Sequence, residues 1–214
     1  MKKTILIAPF DGPLAAALAT AAGTAGWSVA LAVARGPSTT ASEAAQGVVT
    51  IAYDPRSYVS ASSLVISATN ALGELDAAAL VFDPASAKAD FLAGRPGELS
   101  GLVEERCSGP LFLARELVRR FEARKSGSIL LLAPESPRDA ALGPLAAMAG
   151  GAFEGLGLGL FAAAATAPWT AYGLRDASGQ ADRAARHALE LLDDSKTTKA
   201  GRWLRFTGKS GIFG

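Results

Sequence analysis

A few residues in this chain belong to types that carry chemistry by themselves. His187 is the one histidine and so the natural candidate for general acid–base work near neutral pH. It sits in an Ala-rich helical stretch with no paired nucleophile in any local motif, and it reads as a helix-face residue. Cys107 is the one cysteine. A lone thiol closes no internal disulfide, which fits a reducing, cytoplasmic setting, and its place at the head of an amphipathic helix reads as a buried structural thiol. Ser128 and Ser136 flank the apolar run Ile129–Ala133, but neither stands in the G-x-S-x-G elbow that exposes a nucleophilic serine. The chain shows no zinc-ligand spacing and no basic tract. Its formal net charge of +1 provides no field to gather nucleic acid or an anionic membrane.

The elements that would position such residues are legible from periodicity. The chain has 214 residues, 50% of them hydrophobic, which suits one domain over 1–214. Apolar runs at Lys3–Ala8, Trp27–Ala34, Val48–Tyr53, Asp76–Phe82, Ser128–Ala133, Thr170–Leu174 and Trp203–Thr207 read as strands. Between them, helices are expected over Leu14–Ala25 with Gly26 as its stop, over Ser57–Leu72 and over Ala181–Leu192. Gly109–Arg124 reads as an amphipathic helix with Leu111, Phe112, Leu113, Leu117, Val118 and Phe121 inward and its charges, Glu116 among them, mostly outward. The stretch from Ala85 to Ser100 reads as a surface loop or short helix. Leu145–Pro168 is nearly all apolar, but Glu154 interrupts it and Gly and Ala dominate it, so it reads as a buried helix and not a membrane span. Continuous apolar strands alternating with helices predict a doubly wound, Rossmann-type α/β fold: a parallel sheet of about seven strands with helices on both faces.

Several local stretches then resemble the short-chain dehydrogenase/reductase family. The closest is SGPLFLARELVRRFEARKSGSILLLAPES over residues 108–136, similar to the family's Gly-Pro helix, basic helix end and following strand. Ala152-Phe153-Glu154-Gly155-Leu156 resembles the family's A-L-E-G-L. Gly26-Trp27-Ser28-Val29-Ala30 resembles the stretch before its second strand, Glu74-Leu75-Asp76 the stretch before its fourth, and Tyr53-Asp54-Pro55-Arg56-Ser57 the turn after its third. The order and spacing hold along nearly the whole chain.

The resemblance fails at each place where the family does chemistry. The family's glycine-rich cofactor loop falls on Ala8-Pro9-Phe10-Asp11-Gly12-Pro13-Leu14-Ala15, with Pro9, Pro13 and Ala15 at the three glycine positions. Proline offers no N–H to a phosphate, and Asp11 adds negative charge where a diphosphate would lie. The family's catalytic Asn, Ser, Tyr and Lys fall on Arg106, Ala133, Ala146 and Gly150, and no Tyr-x-x-x-Lys occurs anywhere. Only 28 residues, 175–202, separate Leu174 from Trp203, too few for the family's substrate lid. Gly12, Arg35 and Asp54 remain as weak cofactor-binding candidates, Arg35 by its place after the second strand and Asp54 by its place near the family's adenine contact. No metal ligand is expected.

What the resemblance implies is therefore a non-catalytic subunit, structural or regulatory, without a cofactor. It would self-associate or pair with an active homologue through helices 109–124 and 145–165, where the family meets its neighbours. The glycines Gly151, Gly155, Gly157 and Gly159 are read either as that interface or as close packing on the chain's own sheet. One alternative is an NAD(P)-dependent oxidoreductase with atypical catalytic residues. Another is a small-molecule binding protein that uses the crevice at the strands' carboxyl ends.

Overall fold

A computed structural model describes residues 2–34, 47–84, 91–135, 143–193 and 200–208. Arg35 and Ser136 lie outside the described residues. The strands are β1 (Thr4–Ala8), β2 (Ser28–Ala34), β3 (Val48–Tyr53), β4 (Ala77–Val81), β5 (Ser128–Pro134), β6 (Thr170–Asp176) and β7 (Trp203–Phe206). They form one sheet in the order β3-β2-β1-β4-β5-β6-β7, with every pairing parallel. This is the doubly wound Rossmann-type architecture expected from the apolar runs.

The residue pattern explains the order. β1 and β4 are buried at every position, as strands covered on both faces must be, and they lie side by side at the centre. β3 and β7 hold the edges and carry the partly exposed positions. Alternation along β1 divides the core in two. Leu6 and Ala8 pack with α2 (Tyr58–Leu72), α4 (Gly109–Arg124) and α5 (Pro144–Ala164) on one face. Ile5 and Ile7 pack with α1 (Gly12–Thr24) and α6 (Ala181–Asp193) on the other.

The helix ends follow local chemistry. α1 is rich in alanine, the best helix former, and accepts Pro13 in its first turn; Gly26, at φ +81°, lets the chain turn back into β2. Ser57 caps α2, its hydroxyl accepting from the Ser60 N–H at 3.2 Å.

One expectation is extended and two are corrected. Residues 96–108 are helical, with α3 (Pro96–Val103) passing through a π-turn at Glu104–Ser108 directly into α4, where a loop or short helix before residue 100 was expected. Pro96 in the first turn of α3 and the reciprocal Arg95–Glu98 capping bonds explain its start. On α4, Glu116 points inward at 8% exposure and Leu111 outward at 53%. Glu116 is drawn in by the Tyr58 hydroxyl at 2.5 Å and the Ser62 hydroxyl at 3.2 Å, both from α2. Finally, α5 is buried on one side only. Leu145, Ala149, Phe153, Leu160 and Phe161 face the core, while Gly151, Ala152, Gly155, Leu158 and Gly159 are exposed. Among the described residues it is the one helix long and apolar enough to cross a membrane.

Candidate functional site

In a doubly wound sheet the ligand crevice opens where neighbouring strands send their connections to opposite faces. Here that switch lies between β1, which feeds α1, and β4, whose chain continues on the α4 face. A cavity of about 180 Å³ opens there, walled by the carboxyl ends of β1, β2 and β4, the π-turn and α4. A second, of about 370 Å³, lies beside it over β5, β6 and β7 and under α5.

The turn from β1 into α1 forms the edge of the first cavity. Asp11 stands at the helix N-cap, yet its carboxylate makes no capping bond. It turns to Arg106 of the π-turn, whose Nη1 donates to Asp11 Oδ2 at 2.9 Å, while Arg106 Nη2 pairs with Glu105 Oε1 at 2.9 Å. The Arg106 side chain is 13% exposed, so water screens this triad only in part. A π-turn re-aims side chains by adding a residue to the helical turn, and here it turns Arg106 toward the β1–α1 turn. Gly12, at φ +74°, lies against a second carboxylate: a Cβ there would stand 2.3 Å from Asp83 Oδ2. Its lack of a side chain therefore admits Asp83. Two carboxylates thus sit at the start of α1, where N–H groups and the positive helix end would otherwise receive an anion.

Tyr53, at the end of β3, is 2% exposed and lines the same cavity. Burial, with the neighbouring Asp11 carboxylate second, pushes its phenol far above the ordinary range, so it stays protonated. Phe10, Phe82 and Phe153 complete the aromatic part of the wall.

The remaining expected positions divide between the cavities. Ala133, Ala146 and Gly150 come together on the wall of the second, with Glu135, Glu154, Arg175 and Trp203. Arg106, assigned to the same set by the resemblance, lies on the first. The reason is aromatic. Phe82 and Phe153 line both cavities and stack on each other, with centroids 5.5 Å apart and planes at 23°. A Cβ on Gly150 would meet the Phe82 ring in ordinary van der Waals contact at 3.5 Å, so a side chain at position 150 would pack beside this ring. On the far wall, Arg175 pairs with Glu154 at 3.1 Å and lies over the Trp203 ring at 5.1 Å.

Asp54 lines neither cavity. It lines a third, of about 340 Å³, with Ile51, Ser57 and Ser60, and its Oδ1 accepts from the Arg56 N–H at 3.0 Å in the turn after β3. His187 lies on α6, paired with Glu190 at 3.1 Å and stacked on Phe206. Ser128 bonds Thr170 at 2.8 Å at the amino end of β5, opposite the crevice. Cys107 is partly buried in the π-turn, and burial pushes its thiol up, which leaves little thiolate. Among the described residues no group of His, Cys, Asp and Glu could hold a metal ion.

Tyr53, Glu105, Phe82 and Phe153 carry the site, and sequence reasoning gave none of them a role. The usable signal was a tyrosine ending one strand and a phenylalanine ending another at the sheet's ligand edge. The pairing of Arg106 with Asp11 joins positions 95 apart and had no local signature.

No protein-family model matches the sequence, and no curated protein matches it. Solved structures do. A 3-ketoacyl-(acyl-carrier-protein) reductase from Brucella melitensis complexed with NADH superposes with a TM-score of 0.74 at 18% identity, over 97% of this chain and 98% of that one. A gluconate 5-dehydrogenase from Burkholderia cenocepacia J2315 in complex with NADP and tartrate gives 0.75 at 19%, over 97% and 95%. A short-chain dehydrogenase from Streptomyces avermitilis gives 0.74 at 18%, over 96% and 88%. The chain has the fold of the short-chain dehydrogenases.

Proposed function

We propose that this chain is a non-catalytic, cytoplasmic relative of the short-chain dehydrogenases that acts as a structural or regulatory subunit. The observation that carries this reading is the pair of carboxylates, Asp11 and Asp83, at the start of α1. A dinucleotide needs N–H donors and positive potential there. Pro9 and Pro13 withhold donors, the Asp11 and Asp83 side chains stand where a diphosphate would lie, and the stacked Phe82 and Phe153 line both cavities. These residues do not fit a dinucleotide. Ala133, Ala146 and Gly150 offer no side-chain proton to a carbonyl substrate.

Association through helices 109–124 and 145–165, with a second copy or an active homologue, completes the proposal. Gly151, Gly155 and Gly159 recur every fourth residue on the outer face of α5 with nothing within 4 Å of a Cβ, beside exposed Leu158 and Met148. Leu111 is exposed on α4. Gly157 alone answers to packing within the chain, since a Cβ there would meet Trp203 at 2.8 Å.

A second reading, an NAD(P)-dependent oxidoreductase with atypical catalytic residues, is the one the comparisons favour, because the fold neighbours include proteins in complex with NADH and NADP. Calorimetry with NADH and NADPH separates the two. The first reading expects no saturable heat at millimolar nucleotide; micromolar binding would overturn it in favour of the second.

A further inference from the structure

The cavity at the β1–β4 switch has its own chemistry. Its charged lining is Asp11, Glu105 and Arg106, so two carboxylates against one guanidinium leave it one negative charge. Asp11 Oδ1 is buried without any hydrogen-bond partner, although Oδ2 is satisfied by Arg106. A buried carboxylate oxygen with nothing donating to it is costly and calls for a donor. Tyr53 supplies a second, independent observation. It is 2% exposed and lines the same cavity. As a neutral phenol it has lone pairs open to a donor. The rest of the wall is Phe10, Phe82, Phe153 and aliphatic side chains, which favour an organic body and attract cations. At about 180 Å³ the space falls below the roughly 300 Å³ at which drug-sized pockets begin.

We infer that this cavity binds a small organic cation, a protonated amine with an apolar or aromatic body, its N–H groups donating to Asp11 Oδ1 and the Tyr53 hydroxyl. The inference rests on the reading that no dinucleotide occupies the crevice. Arg106 Nε is also buried without a partner and offers one donor, but the net negative lining disfavours an anion of the same size. A neutral isostere would leave that charge uncompensated.

Isothermal titration of the full-length protein with benzylammonium, benzyl alcohol and benzoate tests the inference. Benzylammonium is expected to bind saturably below about 10 mM, and benzyl alcohol and benzoate at least about tenfold more weakly. Asp11→Asn and Glu105→Gln, each of which neutralises the lining, are each expected to reduce benzylammonium affinity by about tenfold, with folding checked by circular dichroism. Tyr53→Phe keeps the ring and the charge and is expected to weaken binding by about threefold or more through loss of one hydrogen bond. Equal affinity for benzylammonium and benzyl alcohol, or no saturable binding of benzylammonium, would overturn the inference. NADH titrated separately reports on the underlying reading: saturation by NADH defeats that reading, whereas failure of benzylammonium alone leaves it standing.

Discussion

Glu116 shows how a single buried charge ties two helices together. Burial by itself would raise its carboxyl pKa, but hydrogen bonds from Tyr58, Arg119 and Ser62 outweigh burial and hold it below the ordinary carboxylate range. A group whose folded pKa is lowered contributes stability that is present above its unfolded pKa and lost as pH falls through the folded one. Glu116→Gln is therefore expected to destabilise the protein by about 2 kcal/mol at pH 7 and to flatten the loss of stability on acidification. Urea denaturation at pH 7 and pH 3 measures both, and an unchanged acid limb in the variant would refute the assignment. Arg115 shares this corner, lying over the Tyr58 ring at 4.7 Å, so the polar cluster also packs α2 against α4.

At the scale of the element, α5 carries glycines with two different duties. Gly157 gives Trp203 its place, as does Gly173 of β6, where a Cβ would lie 2.6 Å from the same indole. Alanine at either position must displace a ring held between α5 and β6. Gly157→Ala is expected to cost about 1–3 kcal/mol despite the better helix propensity of alanine, and thermal melting checks it. Gly155 and Gly159 face open space. Alanine at either should stabilise an isolated chain by up to about 1 kcal/mol through helix propensity alone. If that face is a close-packed interface, the same substitutions lower the association constant. Sedimentation of the Gly155→Ala, Gly159→Ala double variant reads that outcome directly, and a raised melting temperature with no change in association would remove α5 from the interface.

At the scale of the whole molecule, the proposed non-catalytic reading predicts that residue exchange at the expected positions creates no activity. Ala146 and Gly150 line one cavity and the Asp11–Arg106 pair the other, with Phe82 and Phe153 between them. Ala146→Tyr with Gly150→Lys is expected to show no NADH oxidation against a carbonyl panel, measured by absorbance. The new lysine would meet the Phe82 ring, and the start of α1 would still repel a diphosphate. Turnover by that double variant would mean that the crevice admits a dinucleotide despite its carboxylates and its aromatic stack.

The strands and the fold class were readable because apolar runs and helical periodicity are local properties, whereas the order of the strands in the sheet came from the structure. β1 and β4 are buried at every residue and apolar at all but Thr4, as strands covered on both faces must be, and that signal survives without any neighbour in view. The resemblance likewise put Pro9, Pro13 and Ala15 where the family's glycines would stand, and the proposal of a non-catalytic chain starts from these identities. The helix at residues 96–108 was harder, since its Gly and Pro content mimics a loop and the π-turn has no sequence signature. Side-chain contacts between distant segments were beyond reach. Nothing in the neighbourhood of position 116 says that its carboxylate turns inward to Tyr58, and nothing near Gly12 says that Asp83 lies on its α-carbon. Residue identity and periodicity set the sheet and its layers, because these follow from short-range sterics and burial pattern. The acid-edged, aromatic-walled cavity at the β1–β4 switch was decided by tertiary structure, because it exists only where β3, β4, the π-turn and α5 bring Tyr53, Phe82, Arg106 and Phe153 around one space.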